Sequence, residues 1–411
     1  VGKVLTQIDF FANVPSIVSE LKCTIDTDPT KLKEVFLESL RLESLRAELL
    51  ATIKVSRSRR SSVITMPSSS TSSSPSDRGS VSTKGADFSS EAGAKIRDAV
   101  EQHLHIVPDL ARHVNQKIMG IIDNMNEVAE IAPQDLVCAF EVLEMKREYC
   151  DRKLERARSL EMPDPKDYEP VLEIVQQRLE VVILGTIIKT FKTATEHANV
   201  TKLSDLSALL AGATEVLTQM SIFQEEVVPC CPPHYDILYK YLLLFEEYWL
   251  PKAKALCAGD SIVNLGPSEL LQLVDWFEFF AVQINQYDIN DDKKKELKCI
   301  KEFQNLSEDL MAEYLDRIKH QVMQWFDNIK KLPLEARRNT DNTVMTTNPE
   351  EMFRCLHLQI EVAKEKLPRE KLKDVIMACL QVLRQIQRET YDALSIGYKD
   401  IEPELMCATI N

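Results

Sequence analysis

The chain has 411 residues, 44% of them hydrophobic and 28% charged, with a net charge of −14 from 64 acidic and 50 basic side chains; this is the balance of a folded globular protein. Only 10 glycines are present, far below the usual ~7%, which counts against sheets, tight hairpins and phosphate-cradling loops and points to helices. The acidic field opposes attraction to nucleic acid or to an anionic membrane, so any basic contact must be local.

The ten cysteines are scattered singly except for Cys230-Cys231. They lack the spacing of a secreted disulfide scaffold, so reduced thiols in a cytosolic setting are expected. The longest apolar run, Val181 to Leu184 continuing to Ile188, falls short of the ~20 residues of a bilayer span, and no transmembrane helix is expected. A chain that starts at Val1 and stops at Asn411 reads as an internal fragment.

In chain order, Asp28-Pro29 opens the first clear helix, with Asp28 as N-cap, Pro29 at the first helical position and Leu32, Val35, Phe36, Leu40, Leu45 and Leu49 as its apolar spacing to about Lys54. From Ser56 to Ser90 the composition turns to serine, threonine and proline. Such a stretch buries too little apolar surface to offset ordering entropy and reads as a disordered insert. Helical spacing returns at Ile96, and Leu136, Phe140, Leu143, Arg147, Cys150, Leu154 and Ala157 form a stripe in steps of three and four, with Arg147 as its snorkelling edge.

Met162-Pro163-Asp164-Pro165 breaks the chain. A wide apolar face follows from Val171 to Phe191, and another helix runs from Leu206 to Met220. After the Pro229-Cys230-Cys231-Pro232-Pro233 joint, Tyr235 to Trp249 form a buried helix, Ser268 caps Leu270 to Ile284, Leu310 to Ile329 is strongly periodic, Asn348 starts a helix with Glu350 and Glu351 in its first turn, and a last helix spans about Glu370 to Leu394. No five-residue alternation between turns reads as a strand. The expected fold is all-α, an elongated rod of stacked antiparallel helical bundles, divided into 1–55 (end of an upstream bundle), 56–90 (Ser-rich insert), 91–226, 227–335 and 336–411.

Three groups of residues carry chemical candidates. Cys230, Cys231 and His234, with Asp236 as a fourth ligand, would make a zinc or thiol centre, but adjacent cysteines rarely chelate one metal and no Cys-x-x-Cys pair exists. Small apolar cysteines filling a bend are the simpler reading. The acidic pairs Asp291-Asp292 and Glu246-Glu247 point different ways on a helix and read as solvated faces, the first as a helix start. Arg57-Ser58-Arg59-Arg60 ahead of Ser61 and Ser62 suits a basophilic kinase as well as an inert linker. No catalytic constellation or cofactor motif appears.

Val227 to Ile237, with Pro229, Cys230, Pro232, Pro233 and Tyr235 as landmarks, resembles the Pro-Cys-x-Pro-Pro-x-Tyr-x-Ile segment of the exocyst subunit family Sec-six. The resemblance continues in register through Asp275-Trp276 and Phe279, Tyr314, Arg317 and Trp325, Met352-Phe353-Arg354 and Glu404 to Asn411, about the last 185 residues. It is looser upstream, over Leu37 to Leu50 and Lys95 to Glu101. The resemblance implies a tethering-complex rod without catalysis or cofactor. Such a subunit of the exocyst tethers secretory vesicles to the plasma membrane before SNARE-mediated fusion. Implied partners are exocyst subunits of the Sec-eight, Sec-five, Sec-three and Exo-seventy types and a plasma-membrane SNARE of the Sec-nine type, with no nucleic acid. The implied location is cytoplasmic, peripheral at sites of secretion through the complex. The alternatives are another helical-rod or armadillo-like adaptor, or a zinc or thiol enzyme centred on Cys230, Cys231 and His234.

Overall fold

The computed structural model describes residues 2–61, 95, 98–165, 168–200, 204–331, 336–338, 344–346 and 348–397. The fold is all-α, as expected. The helices are α1 (Gly2–Thr27), α2 (Leu32–Ser61), α3 (Ile106–Asp123), α4 (Met125–Ile131), α5 (Pro133–Ser159), α6 (Val171–Val200), α7 (Asp205–Glu226), α8 (Ile237–Leu256), α9 (Gly259–Asn264), α10 (Pro267–Gln286), α11 (Asp291–Glu296), α12 (Lys298–Lys330), α13 (Asn348–Lys366) and α14 (Arg369–Gly397). Packing gathers them into two compact units, 1–182 with 225–237, and 183–224 with 238–411.

In the first unit, α1 and α2 pack against α3, and α2, α3 and α4 pack against α5. The sequence pattern explains the seams. Val107, Leu110, Val114, Ile118 and Ile121 recur every three or four residues on α3 and are all buried, as are Leu136, Phe140, Leu143, Cys150 and Leu154 on α5. Asp28 caps a short 3-10 turn, Pro29–Lys31, by accepting the Thr30 N–H at 3.2 Å, and that turn feeds α2. Two expectations change here. The chain is already helical from Gly2, with Val14, Val18 and Ile25 buried, and α2 continues past Lys54 to Ser61. Residues 62–94, with Ser62 and most of the expected insert, lie outside the described residues.

In the second unit α10 packs on α12, which also carries α13 and α14, and these two pair with each other. Its centre is aromatic. Trp249 meets Trp276 edge-on at 5.4 Å, Trp276 stacks on Phe280 at 5.8 Å, and Phe303 stacks on Phe277 at 4.9 Å while standing edge-on to Phe280 at 4.9 Å. Some of the polar groups drawn inside are paired, whereas the Tyr241 and Tyr314 hydroxyls and Trp249 Nε1 are buried without a hydrogen-bond partner. Trp276 Nε1 donates to Thr214 Oγ1 at 2.9 Å and the Tyr287 hydroxyl to the Leu217 carbonyl at 2.9 Å. The buried Glu246 carboxylate accepts the Cys299 backbone N–H at 2.8 Å, occupying one of the donors that the first turn of α12 leaves without an intrahelical partner. Gly212 on α7 is demanded by close approach, since a Cβ there would lie 2.7 Å from Thr195 Oγ1 and 3.1 Å from the Phe191 carbonyl.

Further expectations are corrected in this unit. The cap of α10 is Gly266 and not Ser268: Pro267 takes the first helical position, where its missing N–H costs no bond, and the Glu269 carboxylate accepts the Gly266 N–H at 2.8 Å. Two three-residue strands, β1 (Ala336–Arg338) and β2 (Val344–Thr346), pair antiparallel with Arg337 opposite Met345. They are too short to show the alternation that a sequence search requires. Residues 205–230 also form a stretch long and apolar enough to cross a bilayer by length and composition. Half of that stretch's apolar window is buried within the protein, as in a core helix.

Candidate functional site

The proline-rich joint is the stretch whose residues combine the greatest chemical variety. Proline fixes φ near −65° and withholds a donor, so Val227 to Tyr235 cannot continue α7 as a regular helix. The chain forms two single 3-10 turns instead, Val228–Cys230 and Pro233–Tyr235, with Cys231 extended between them. Asp236 then adopts a left-handed conformation at φ 56° before α8 begins. An aspartate tolerates that region better than most residues, which explains an acid at this corner.

Tyr235 anchors the joint to α5. Its side chain is fully buried, its ring lies 5.4 Å from Phe140, and its hydroxyl donates to Glu144 Oε1 at 2.9 Å. Glu144 is the hub: His234 Nε2 lies 3.1 Å from the same oxygen, and Arg147 Nη2 pairs with Oε2 at 2.5 Å. Arg147, placed on the apolar stripe by its spacing, therefore reaches out of the stripe to hold a carboxylate, with Nη1 3.4 Å from the His234 ring. Burial, reinforced by the neighbouring Glu144 carboxylate, pushes the Tyr235 phenol well above its ordinary value, so it remains a donor.

The two cysteines sit in surroundings that favour the thiol form. Cys230 is buried and its thiol donates to the Glu226 carbonyl at 3.4 Å. Desolvation pushes both thiols up, Cys231 far more than Cys230. A thiol is a nucleophile or a metal ligand as the thiolate, and this environment opposes that form. His234 is engaged with Glu144 and Arg147. Among the described residues no group of three His, Cys, Asp or Glu side chains is arranged to hold a metal ion. In geometry the stretch is a bend held to α5 by Tyr235 through Glu144, a carboxylate that the sequence reading did not single out. Glu144 lies three residues before Arg147, the spacing of an ion pair on one helix face.

The other sequence landmarks fall at structural positions in the second unit. Trp276 lies in the aromatic centre and Tyr314 is buried. Arg317 donates to the Ile262 carbonyl at 2.7 Å and to that of Leu265, satisfying acceptors at the end of α9, while its Nε binds Glu313 at 2.7 Å. Phe279 and Phe353 are exposed. Ser61 closes α2, and Glu404 to Asn411 lie outside the described residues.

Comparison with known proteins bears on these positions. A solved structure described as the crystal structure of M-Sec is similar at 13% sequence identity and a TM-score of 0.49, covering 94% of this chain and 59% of that one. The family model described as "Exocyst complex component Sec6" matches residues 105–411, about three quarters of the chain. The match reaches well upstream of the joint, taking in α5 with Glu144 and Arg147 as well as Tyr235, and the chain belongs to the exocyst complex component Sec6 family.

Proposed function

We propose that this chain is a non-catalytic scaffold segment of an exocyst subunit. It helps to assemble the complex that tethers secretory vesicles to the plasma membrane before SNARE-mediated fusion. The family match over residues 105–411 carries this reading, and the character of the joint supports it. Burial raises the pKa of the joint's thiols and so disfavours the thiolate a nucleophile would need, and the polar cluster around Glu144 holds a bend.

On this reading Pro229, Cys230, Pro232, Pro233 and Tyr235 are structural landmarks. The partners are exocyst subunits of the Sec-eight, Sec-five, Sec-three and Exo-seventy types and a plasma-membrane SNARE of the Sec-nine type. The working location is cytoplasmic and peripheral at sites of secretion. Ser61 and Ser62, behind Arg57, Arg59 and Arg60, are phosphoacceptors whose modification reverses the local charge. Affinity purification of the tagged full-length protein tests the proposal. Recovery of the other exocyst subunits is expected, and their absence under conditions that preserve a known complex would refute it.

A further inference from the structure

Helix α14 has two faces of different character. Val375, Ala378, Cys379, Val382 and Ile386 are buried and form its core side. On the outward side, Arg369, Lys373, Ile376, Met377, Leu380, Arg384, Arg388 and Tyr391 recur in helical steps. At 100° per residue they fall on an arc of about 120° and extend over about 33 Å. The four cations are exposed, and no ion pair engages them among the described residues. The apolar members are exposed as well, Ile376 at 36%, Met377 and Leu380 at 42% and Tyr391 at 71%. Glu370 stands at one edge of the arc, in the first turn, where a carboxylate complements the helix dipole.

We propose that this outward face of α14 is a docking surface for an acidic amphipathic helix of a partner protein. Lone cations on a helix are ordinary solvated residues, but an apolar stripe with cations along it, nearly without acids, is complementary to a helix that has leucine-like residues at its centre and carboxylates at its margins. The surrounding field selects a protein over a lipid surface. A chain of net charge −14 is repelled by an anionic bilayer as a whole, whereas an acidic helix needs only the local cationic strip. The half-covered Ile376, Met377 and Leu380 also suit side chains interlocking with a partner better than insertion among acyl chains.

The test uses the full-length protein and two synthetic monomeric helical peptides with leucines at heptad a and d positions, one flanked by glutamates and the other by lysines. Fluorescence anisotropy is expected to detect binding of the glutamate peptide only, weakened about tenfold by Arg384→Glu with Arg388→Glu and by raised salt. Failure of the glutamate peptide to bind, or equal binding by both peptides, overturns the proposal. Binding of vesicles containing phosphatidylserine, lost in the same variant while the glutamate peptide fails to bind, replaces it with a membrane surface. In parallel, Met377→Cys is expected to react readily with maleimide, and protection in the full-length chain overturns the proposal by showing that its own residues or a second copy cover the face. None of these results depends on recovery of the exocyst, so they stand or fall separately from the proposed function.

Discussion

The joint in the first unit and the aromatic centre of the second solve the same problem, holding helices in one arrangement, by opposite means. The joint relies on a carboxylate that receives a phenol, a guanidinium and an imidazole around a buried ring. The aromatic centre relies on area and shape, with Trp249, Phe277, Phe280 and Phe303 each meeting Trp276, whose Nε1 is anchored on Thr214. A polar hub fixes direction, because hydrogen bonds tolerate little angular error, but contributes modest net stability. Interlocked rings contribute more, and any one of them leaves a cavity when removed.

The largest expected effect separates the two. Trp276→Ala should destabilise the second unit by about 3 to 5 kcal/mol. Hydrogen exchange should then show lost protection in α8, α10 and α12 while α3 and α5 keep theirs; uniform loss in both units would mean that they unfold as one. Glu144→Ala should cost about 1 to 3 kcal/mol, because it strands the buried Tyr235 hydroxyl and leaves Arg147 without its carboxylate. Tyr235→Phe, which removes the donor along with its need for a partner, should cost about 1 kcal/mol by urea denaturation. If Tyr235→Phe proves as damaging as Glu144→Ala, the hub contributes through the phenol alone and the contrast weakens.

Gly212→Ala sharpens the apolar side of the comparison. The added methyl meets Thr195 Oγ1 and the Phe191 carbonyl, so a loss of about 1 to 3 kcal/mol is expected by thermal melting. Adding Thr195→Ala should restore only part of it, because the carbonyl contact remains.

The smallest effect concerns pH. Burial pushes the thiol of Cys257 up to about 12 and the phenol of Tyr314 up to about 12, and raises Cys299 and Tyr241 as well. In the unfolded chain thiols titrate near ~8.5 and phenols near ~10. The folded state then holds protons that the unfolded state has released, so stability is complete below about pH 8.5 and declines as pH rises beyond it. Urea midpoints at pH 7 and pH 10 should differ in that direction, more for the second unit than for the first. A midpoint that rises with pH would contradict the burial of these groups. Native alkylation at pH 8 should reach the exposed Cys23 and spare the buried Cys299.

Most helices were legible because their signals are local. Apolar residues three and four apart place one stripe on a helix, and this recovered α5 and the starts of most later helices. By contrast, α6, α7 and α8 run on past the expected Phe191, Met220 and Trp249, and α12 begins at Lys298, ahead of the expected Leu310. The resemblance across the joint and the downstream landmarks identified the family. The misses were equally physical. The apolar pattern of α1 is spread over Val14, Val18 and Ile25 and interrupted by Pro15, so no dense stripe announced it. Gly266 displaced Ser268 as cap because the carboxylate of Glu269 reached back to its N–H, and the two strands are shorter than any period that can be read.

The sequence by itself determined the helical class, the bend at Pro229 to Pro233 and the family, because proline geometry, apolar spacing and short motifs are written within a few residues of one another. Tertiary structure alone decided that Glu144 receives Tyr235 from 91 positions away, that Glu246 completes the first turn of α12, and that α14 carries cations and apolar side chains outward on one face. Each is a question of which helix faces which, and burial energy settles that only once the whole chain has packed.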